Sequence, residues 1–384
     1  MIKADYLNVI DYGSSKKRIA LFDANLNICY SETIQNTLPI EDNNLNDLKE
    51  TIKKGEKKIS SHIKDIILLL DCQKTLIIDI SLQKKLDQKS DFTKNYNFLI
   101  QETDQLISNN YSEYKLIHIF FNKAIIDEKL YNIIPKNLKF ISEIKIDFKI
   151  ICFPRKIIQK IEKNLNENNL NISKIYCTSY LKSLSYLNKL NIDKLCFLDV
   201  GFERTSFMFY ENNKLKFIET IDIGSYHISK DISKIFKISI QDAEKIKKSF
   251  NKSETEFSYD NSKSNDILSI KDIIVKNISI DLLKKVILHR VQELIDLTYK
   301  KSKINNFEFK DAELFLIGDG SILFKNNSFY LNDKFNFKSI NYFNETDLQI
   351  CNSGAIYFIN NQDKPKIVSK KQGFFEKFFN IFDK

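Results

Sequence analysis

"VIDYGSSKKRIALF", residues 9–22, decides the fold. Apolar residues lead to Asp11, a tight turn passes through Gly13, and a second apolar run begins at Ile19. That order predicts a strand, a turn and a second strand. "KLCFLDVGFERTSFMFYENNKLKFIETIDIG" (194–224) repeats the pattern as strand, Gly-bearing turn, strand, turn, strand. Each stretch has hydrophobics, an Asp and, two residues later, a Gly. Two such meanders predict a duplicated α/β domain. A further apolar strand, "AELFLIG" (312–318), runs into "DGSILF" (319–324).

The chain is rich in Lys, Asn, Ile and Phe and carries only 8 Gly. A glycine is then expected where φ is positive or a backbone passes too close for a Cβ. Gly13 and Gly201 each follow a strand-ending Asp, and Gly318 and Gly320 follow the later strand. A strand–Asp–x–Gly turn offers consecutive backbone N–H groups to an anion, and its carboxylate can hold a metal-bound water. Two such turns face to face, with a third Gly-rich turn nearby, form a clamp for a polyphosphate with Mg²⁺ between them.

At 384 residues, 43% hydrophobic and 28% charged, the chain reads as folded and long enough for two ordinary domains. The net charge of +9 is scattered rather than massed in a stripe. With no recognition helix and no aromatic RNA platform, it reads as a lysine-rich surface with no nucleic-acid partner. An acidic membrane surface would still attract it. The 6 Cys show no C-x-x-C pair, so reduced buried thiols are expected, and the 4 His form no local metal motif. Neither a secretion signal nor a run of about 20 apolar residues is present, so a cytosolic body is expected.

Helices are expected around 45–63, 155–168, 227–248 and 280–302, strands at "IKDIILLLDC" (63–72) and 75–80, short strands within 83–165, and a polar loop at 253–266. The C-terminus "GFFEKFFNIFDK" (373–384) follows a polar stretch containing Pro365. At about 100° per residue, Phe374, Phe375, Phe378, Phe379, Ile381 and Phe382 share one arc of about 160°, with polar residues opposite. Lysines 370, 371, 377 and 384 outnumber Glu376 and Asp383 there. A basic, Phe-faced helix suits an anionic bilayer surface. Each Phe fully buried contributes about 1.5–3 kcal/mol, so partial insertion predicts a reversible anchor that a polymer multiplies. Docking of this helix on the protein's own core is the alternative.

"VIDYGSSKKRIALF", "FLDVG" (197–201) and "IGDGSIL" (317–323) resemble, in order, the two phosphate motifs and the adenosine motif of the actin, sugar kinase and heat-shock chaperone superfamily. "IDIGSYHISKDISKIFKISIQDAEKIKKSF" (221–250) and "HRVQELIDL" (289–297) are similar to segments of the cell-division actin FtsA. This resemblance implies an actin-like, ribonuclease H-like duplicated two-domain ATPase fold with an inserted 1C-type subdomain and a C-terminal amphipathic helix. The implied division is subdomain 1A at 1–82 with a return at 328–360, 1C at 83–165, 2A at 166–226 and 301–327, and 2B at 227–300. A linker at 361–372 and a membrane-targeting helix at 373–384 complete it.

The resemblance also implies ATP and Mg²⁺ as cofactors. Asp11 and Asp199 would organise the metal through water. Gly13, Ser14, Ser15 and Lys16 would line the phosphates on one side, Gly201 and Thr205 on the other. Glu244 and Lys247 match the pair that contacts ribose and adenine, with a solvent-exposed ion pair as the alternative. Gly318, Gly320 and Ser321 would close the adenosine side, and His227 is expected to be structural. Arg290 is a candidate contact for a partner's anion, with a solvated arginine as the alternative.

Two loops depart from the pattern. Phe202 and Glu203 stand where glycine is usual and are expected to resist its positive φ, and Asp319 enters a usually neutral turn. Both changes are expected to spare nucleotide binding while slowing hydrolysis. The implied role is a polymerising protein at the cytoplasmic face of the inner membrane, at the division septum. It would bind the C-terminal peptide of FtsZ, anionic lipids and later division proteins. A PilM-like pilus-assembly actin and a small-molecule kinase of the same superfamily are the alternatives.

Overall fold

The computed structural model describes residues 6–35, 46–135, 137–187, 189–190, 192–252, 278–304, 309–343 and 345–361. The 253–266 loop, all but the first residue of the 361–372 linker, and the 373–384 segment with its six apolar residues lie outside them. The chain divides into two units, one from residues up to Thr75 together with Lys156–Ile359, the other from Leu76–Arg155.

Strands β1 (Tyr6–Tyr12), β2 (Lys16–Asp23) and β3 (Ile28–Gln35) form the first meander, followed by helix α1 (Asn46–Ile59) and β4 (Asp65–Leu70). The second unit contributes β5 (Leu76–Asp91), α2 (Phe92–Asn110), β6 (Tyr114–Ile126), β7 (Lys129–Tyr131) and β8 (Phe140–Pro154). Then come α3 (Arg155–Asn166), β9 (Asn171–Cys177) and α4 (Thr178–Leu187). The second meander is β10 (Lys194–Val200), β11 (Thr205–Glu211) and β12 (Lys214–Ile221). Helices α5 (Ser225–Phe236), α6 (Ile240–Lys252) and α7 (Ile280–Ile304) precede β13 (Glu313–Ile317). A 3₁₀ segment (Asp319–Asn327), α8 (Ser328–Phe335), β14 (Ser339–Tyr342) and α9 (Asp347–Asn360) close the described chain.

The first unit holds two five-stranded sheets, ordered β3-β2-β1-β4-β9 and β12-β11-β10-β13-β14. In each, the opening strand pairs antiparallel with its hairpin partner and parallel with the later strand. The two sheets therefore repeat one another strand for strand. Strands β4 and β10 are apolar and buried along nearly their whole length, as strands inside a covered sheet must be. One core packs Leu198, Val200 and Phe207 of the second sheet against Ile228, Ile246 and Val291 of α5, α6 and α7.

Two expected boundaries shift. Residues 171–177 pair with β4 in the first sheet, although 166–226 was expected to belong with the second. Residues 339–342 pair with β13, so the return to the first sheet starts with α9 and not at 328. Parallel pairing with an apolar neighbour decides both cases, and neither is visible in local composition.

The second unit is a four-stranded sheet, β5-β8-β6-β7, covered by α2. It spans 76–155 rather than 83–165, because β5 runs unbroken from Leu76 and α3 buries Ile158, Ile161 and Leu165 in the first unit. Helix α2 lies where only strands were expected. Its buried stripe is Phe92, Asn95, Leu99, Thr103 and Ile107, spaced three or four apart as a helix requires. Two of the five are polar and hide the stripe. Asn95 donates to the Asp91 carbonyl (2.8 Å) and Thr103 to the Leu99 carbonyl (2.8 Å), so both can be buried. Asp91 caps the helix by accepting from the Lys94 N–H at 2.7 Å.

All six cysteines are free thiols, Cys29 partly exposed and the rest buried. Among the described residues no helix is long and apolar enough to cross a membrane.

His118 on β6 is buried, its ring stacked 5.6 Å from Phe120. Burial lowers its imidazole pKa to about 3 from the 6.5 of an open chain. Between these values the unfolded chain binds the extra proton, so stability falls as pH drops below about 6.5, by about 1.4 kcal/mol per pH unit. Urea denaturation at pH 6.5 and pH 5 should show a loss about 2 kcal/mol larger in the wild type than in His118→Phe. Equal losses would rule this out.

Candidate functional site

Asp11, near the end of β1, is buried. Hairpin register sets Arg18 opposite it, and the guanidinium donates to its carboxylate at 2.6 Å. The Thr178 hydroxyl donates to its other oxygen at 3.0 Å. Burial pushes the Asp11 pKa up, and Arg18 offsets this only in part. Arg18 also donates through Nε to Asp347 at 2.6 Å. Burial disfavours its charge, but Asp11 and Asp347 outweigh that and hold the guanidinium charged. Gly13 makes the turn, where a Cβ would lie 2.6 Å from the Lys16 carbonyl.

Asp199, near the end of β10, repeats this arrangement with a cation from elsewhere. The residue opposite is Ser206, so its partner is Lys182 of α4, at 2.7 Å. Lys182 also reaches Glu345 at 3.0 Å, and Glu345 accepts the Gly318 N–H at 2.7 Å. Burial opposes the Lys182 charge, but Asp199 and Glu345 prevail and keep it protonated. Burial raises the Glu345 pKa, with Lys182 opposing. Gly318, at φ +85°, cannot be replaced cheaply, since a Cβ would sit 2.4 Å from an Asp199 oxygen.

A third pair joins the buried Arg204 to the half-buried Asp71 at 3.0 Å. Arg204 further donates to Thr75 (2.6 Å), Ser206 (2.8 Å) and the Cys72 carbonyl (3.2 Å). This anchors the "GFERTS" loop. Neither Phe202 nor Glu203 takes a positive φ. Phe202 is buried against Tyr226, ring centroids 4.8 Å apart. The Glu203 carboxylate accepts a hydrogen bond from the Ser14 hydroxyl, linking the two turns directly.

These turns surround a cavity of about 90 Å³. Of the expected residues, Asp11, Gly13, Ser14, Ser15, Asp199, Gly201 and Gly318 line it. The others do not line it. Lys16 pairs with Asp319 (3.0 Å) and Asp347 (3.6 Å). Thr205 donates to the Ile223 carbonyl at 2.8 Å, and Ser321 to the Gly318 carbonyl at 2.6 Å. Gly320 sits tight on Val200. Glu244 and Lys247 are not the exposed pair offered as the alternative. They are buried, 2.7 Å apart, with Lys247 also donating to the Ser225 carbonyl at 2.8 Å. Burial lowers the Lys247 pKa. Burial raises and Lys247 lowers that of Glu244, and the net shift is downward. His227 accepts the Gly224 N–H at 3.2 Å, a capping role. Arg290 is paired with Asp231 and Glu293, each at 2.6 Å, and is not a solvated cation.

Asp11 and Asp199, expected to organise Mg²⁺ through water, each bond a side-chain cation here. Magnesium needs an octahedron of oxygens, and both expected carboxylates are already neutralised by a buried side-chain cation. Among the described residues no cluster of His, Cys, Asp or Glu is arranged to hold a metal. Arg18, Lys182, Arg204 and Glu345 had no place in the sequence reading. Hairpin register could have found Arg18 and a strand-ending position Asp71, but no local signal marks Lys182 or Glu345.

Lys182→Met leaves Asp199 and Glu345 buried without their cation and should cost about 3–5 kcal/mol in urea denaturation. Adding Glu345→Gln should recover part of that loss. A loss below about 1 kcal/mol would show that the pair does not hold this site together.

A family model described as "Cell division protein FtsA" matches residues 196–335. The chain is 24% identical over 280 residues to cell division protein FtsA of Staphylococcus epidermidis ATCC 12228, covering 70% of this chain and 59% of the relative. FtsA of a second strain of that species matches equally. The chain thus spans about 59% of the length of the curated relatives it matches. Among solved structures it is similar to the PilM-PilN type IV pilus biogenesis complex, with TM-score 0.61 and 11% identity, covering 90% of this chain and 89% of that one. That likeness shows the fold alone. With the strand-for-strand repeat and the Asp-x-Gly turns, these matches make the chain similar to cell division protein FtsA and give it the actin-like ATPase fold.

Proposed function

We propose that this chain is an actin-like cell-division protein that binds an adenine nucleotide between its strand-end turns. In this reading it assembles at the cytoplasmic face of the inner membrane, ties FtsZ to it and receives later division proteins. One observation carries the nucleotide reading. Turns from both repeated sheets, Gly13–Ser15 and Gly201–Glu203, and the Gly318 turn meet at one cavity. Strand-end turns of this kind gather backbone N–H groups toward an anion.

The cavity of about 90 Å³ is well below the few hundred Å³ of a nucleotide-sized pocket, so entry requires the turns to part. The Ser14–Glu203 hydrogen bond is what must open. The cation pairs at Asp11 and Asp199 leave hydrolysis without a preorganised metal, and the expected ATP turnover is slow. Phosphate release by the purified full chain should stay near background; sustained release of many turnovers per minute would remove this part of the reading.

Membrane attachment rests on the Phe-faced segment 373–384. Full-length chain should pellet with anionic liposomes, while a chain ending at Gln372 should remain in the supernatant. Equal pelleting of both would remove the anchor and favour the pilus-assembly reading, to which the PilM likeness lends the fold.

A further inference from the structure

We infer that Glu203 competes with a terminal phosphate for the space between the two turns, making this a nucleoside-diphosphate site that holds ADP in preference to ATP. The inference rests on the nucleotide reading and specifies its ligand.

In the proposed clamp the polyphosphate lies between the two facing turns, and its terminal group is taken to touch both. Here a protein group touches both. The Glu203 carboxylate, from the β10–β11 turn, accepts from the Ser14 hydroxyl of the β1–β2 turn. Its backbone is held as well: Gln73 donates to the Glu203 carbonyl at 3.3 Å. The neighbours on either side are fixed, Phe202 by Tyr226 and Arg204 by Asp71. The carboxylate is thus carried on a loop anchored on both sides.

Charge favours the same conclusion. The cavity is lined by Asp11, Asp71, Asp199, Glu203, Asp319 and Glu345, against Arg18, Lys182 and Arg204. Each of these three cations is already bonded to a carboxylate. A further phosphate would meet an excess of like charge in a partly buried space, where repulsion is screened least. A ligand one phosphate shorter lets the Ser14–Glu203 bond re-form once it has entered, and brings less charge.

Isothermal titration of the full chain with ADP and with ATP tests this on wild type, Glu203→Ala and Glu203→Gln. Wild type should bind ADP at least about tenfold more tightly than ATP. Glu203→Ala should strengthen ATP binding about tenfold or more while changing ADP about threefold at most. Glu203→Gln keeps a hydrogen-bonding group without the charge and should fall between. Circular dichroism establishes that each variant is folded. ATP binding as tight as ADP in wild type, or an unchanged preference in folded Glu203→Ala, would overturn the inference and leave nucleotide binding standing. Failure of wild type and both variants to bind either nucleotide would overturn the nucleotide reading as well. ATP binding that appears only in Glu203→Ala would support Glu203 as the competitor.

Discussion

Buried carboxylates need buried cations, and the centre of the first unit is organised by that need. Asp11, near the end of β1, and Asp199, near the end of β10, are buried with Arg18 and Lys182 as partners, and the half-buried Asp71 after β4 takes the buried Arg204. An unpaired charge at such a depth would cost several kcal/mol, whereas a pair with further hydrogen bonds can be accommodated. The partners come from three different places: across a hairpin, out of a turn, and from a helix. The pairing therefore ties the two sheets, α4 and the Gly318 turn into one arrangement.

This pairing also gives the site its chemical character. The resemblance implies that Asp11 and Asp199 would serve a metal and that phosphate would lie between the turns. Here side chains supply the positive charge, and Glu203 supplies a negative one.

Much of this was legible in the chain. The two meanders appear because alternating apolar runs end in Asp-x-Gly, and the helical periodicity at 227–248 and 280–302 appears as α5, α6 and α7. What escaped did so for physical reasons. Helix α2 hides because Asn95 and Thr103 satisfy their own polar groups on the buried face. Glu244 and Lys247 sit correctly on one helical face, yet periodicity cannot tell a buried pair from a solvated one. Lys182 and Glu345 meet across 163 positions of sequence, and only the assembled sheets bring them together. Strands β9 and β14 joined unexpected neighbours because parallel pairing is a long-range choice.

The second unit has a property that follows from its first and last strands. Leu76 pairs with Cys152, so the chain enters and leaves this unit on hydrogen-bonded neighbours about 5 Å apart. To the rest of the chain the whole excursion closes like a short hairpin loop, and the entropy of closing it grows only slowly with its length. Such a module can lengthen, shrink or be exchanged during evolution without reshaping the body that carries it.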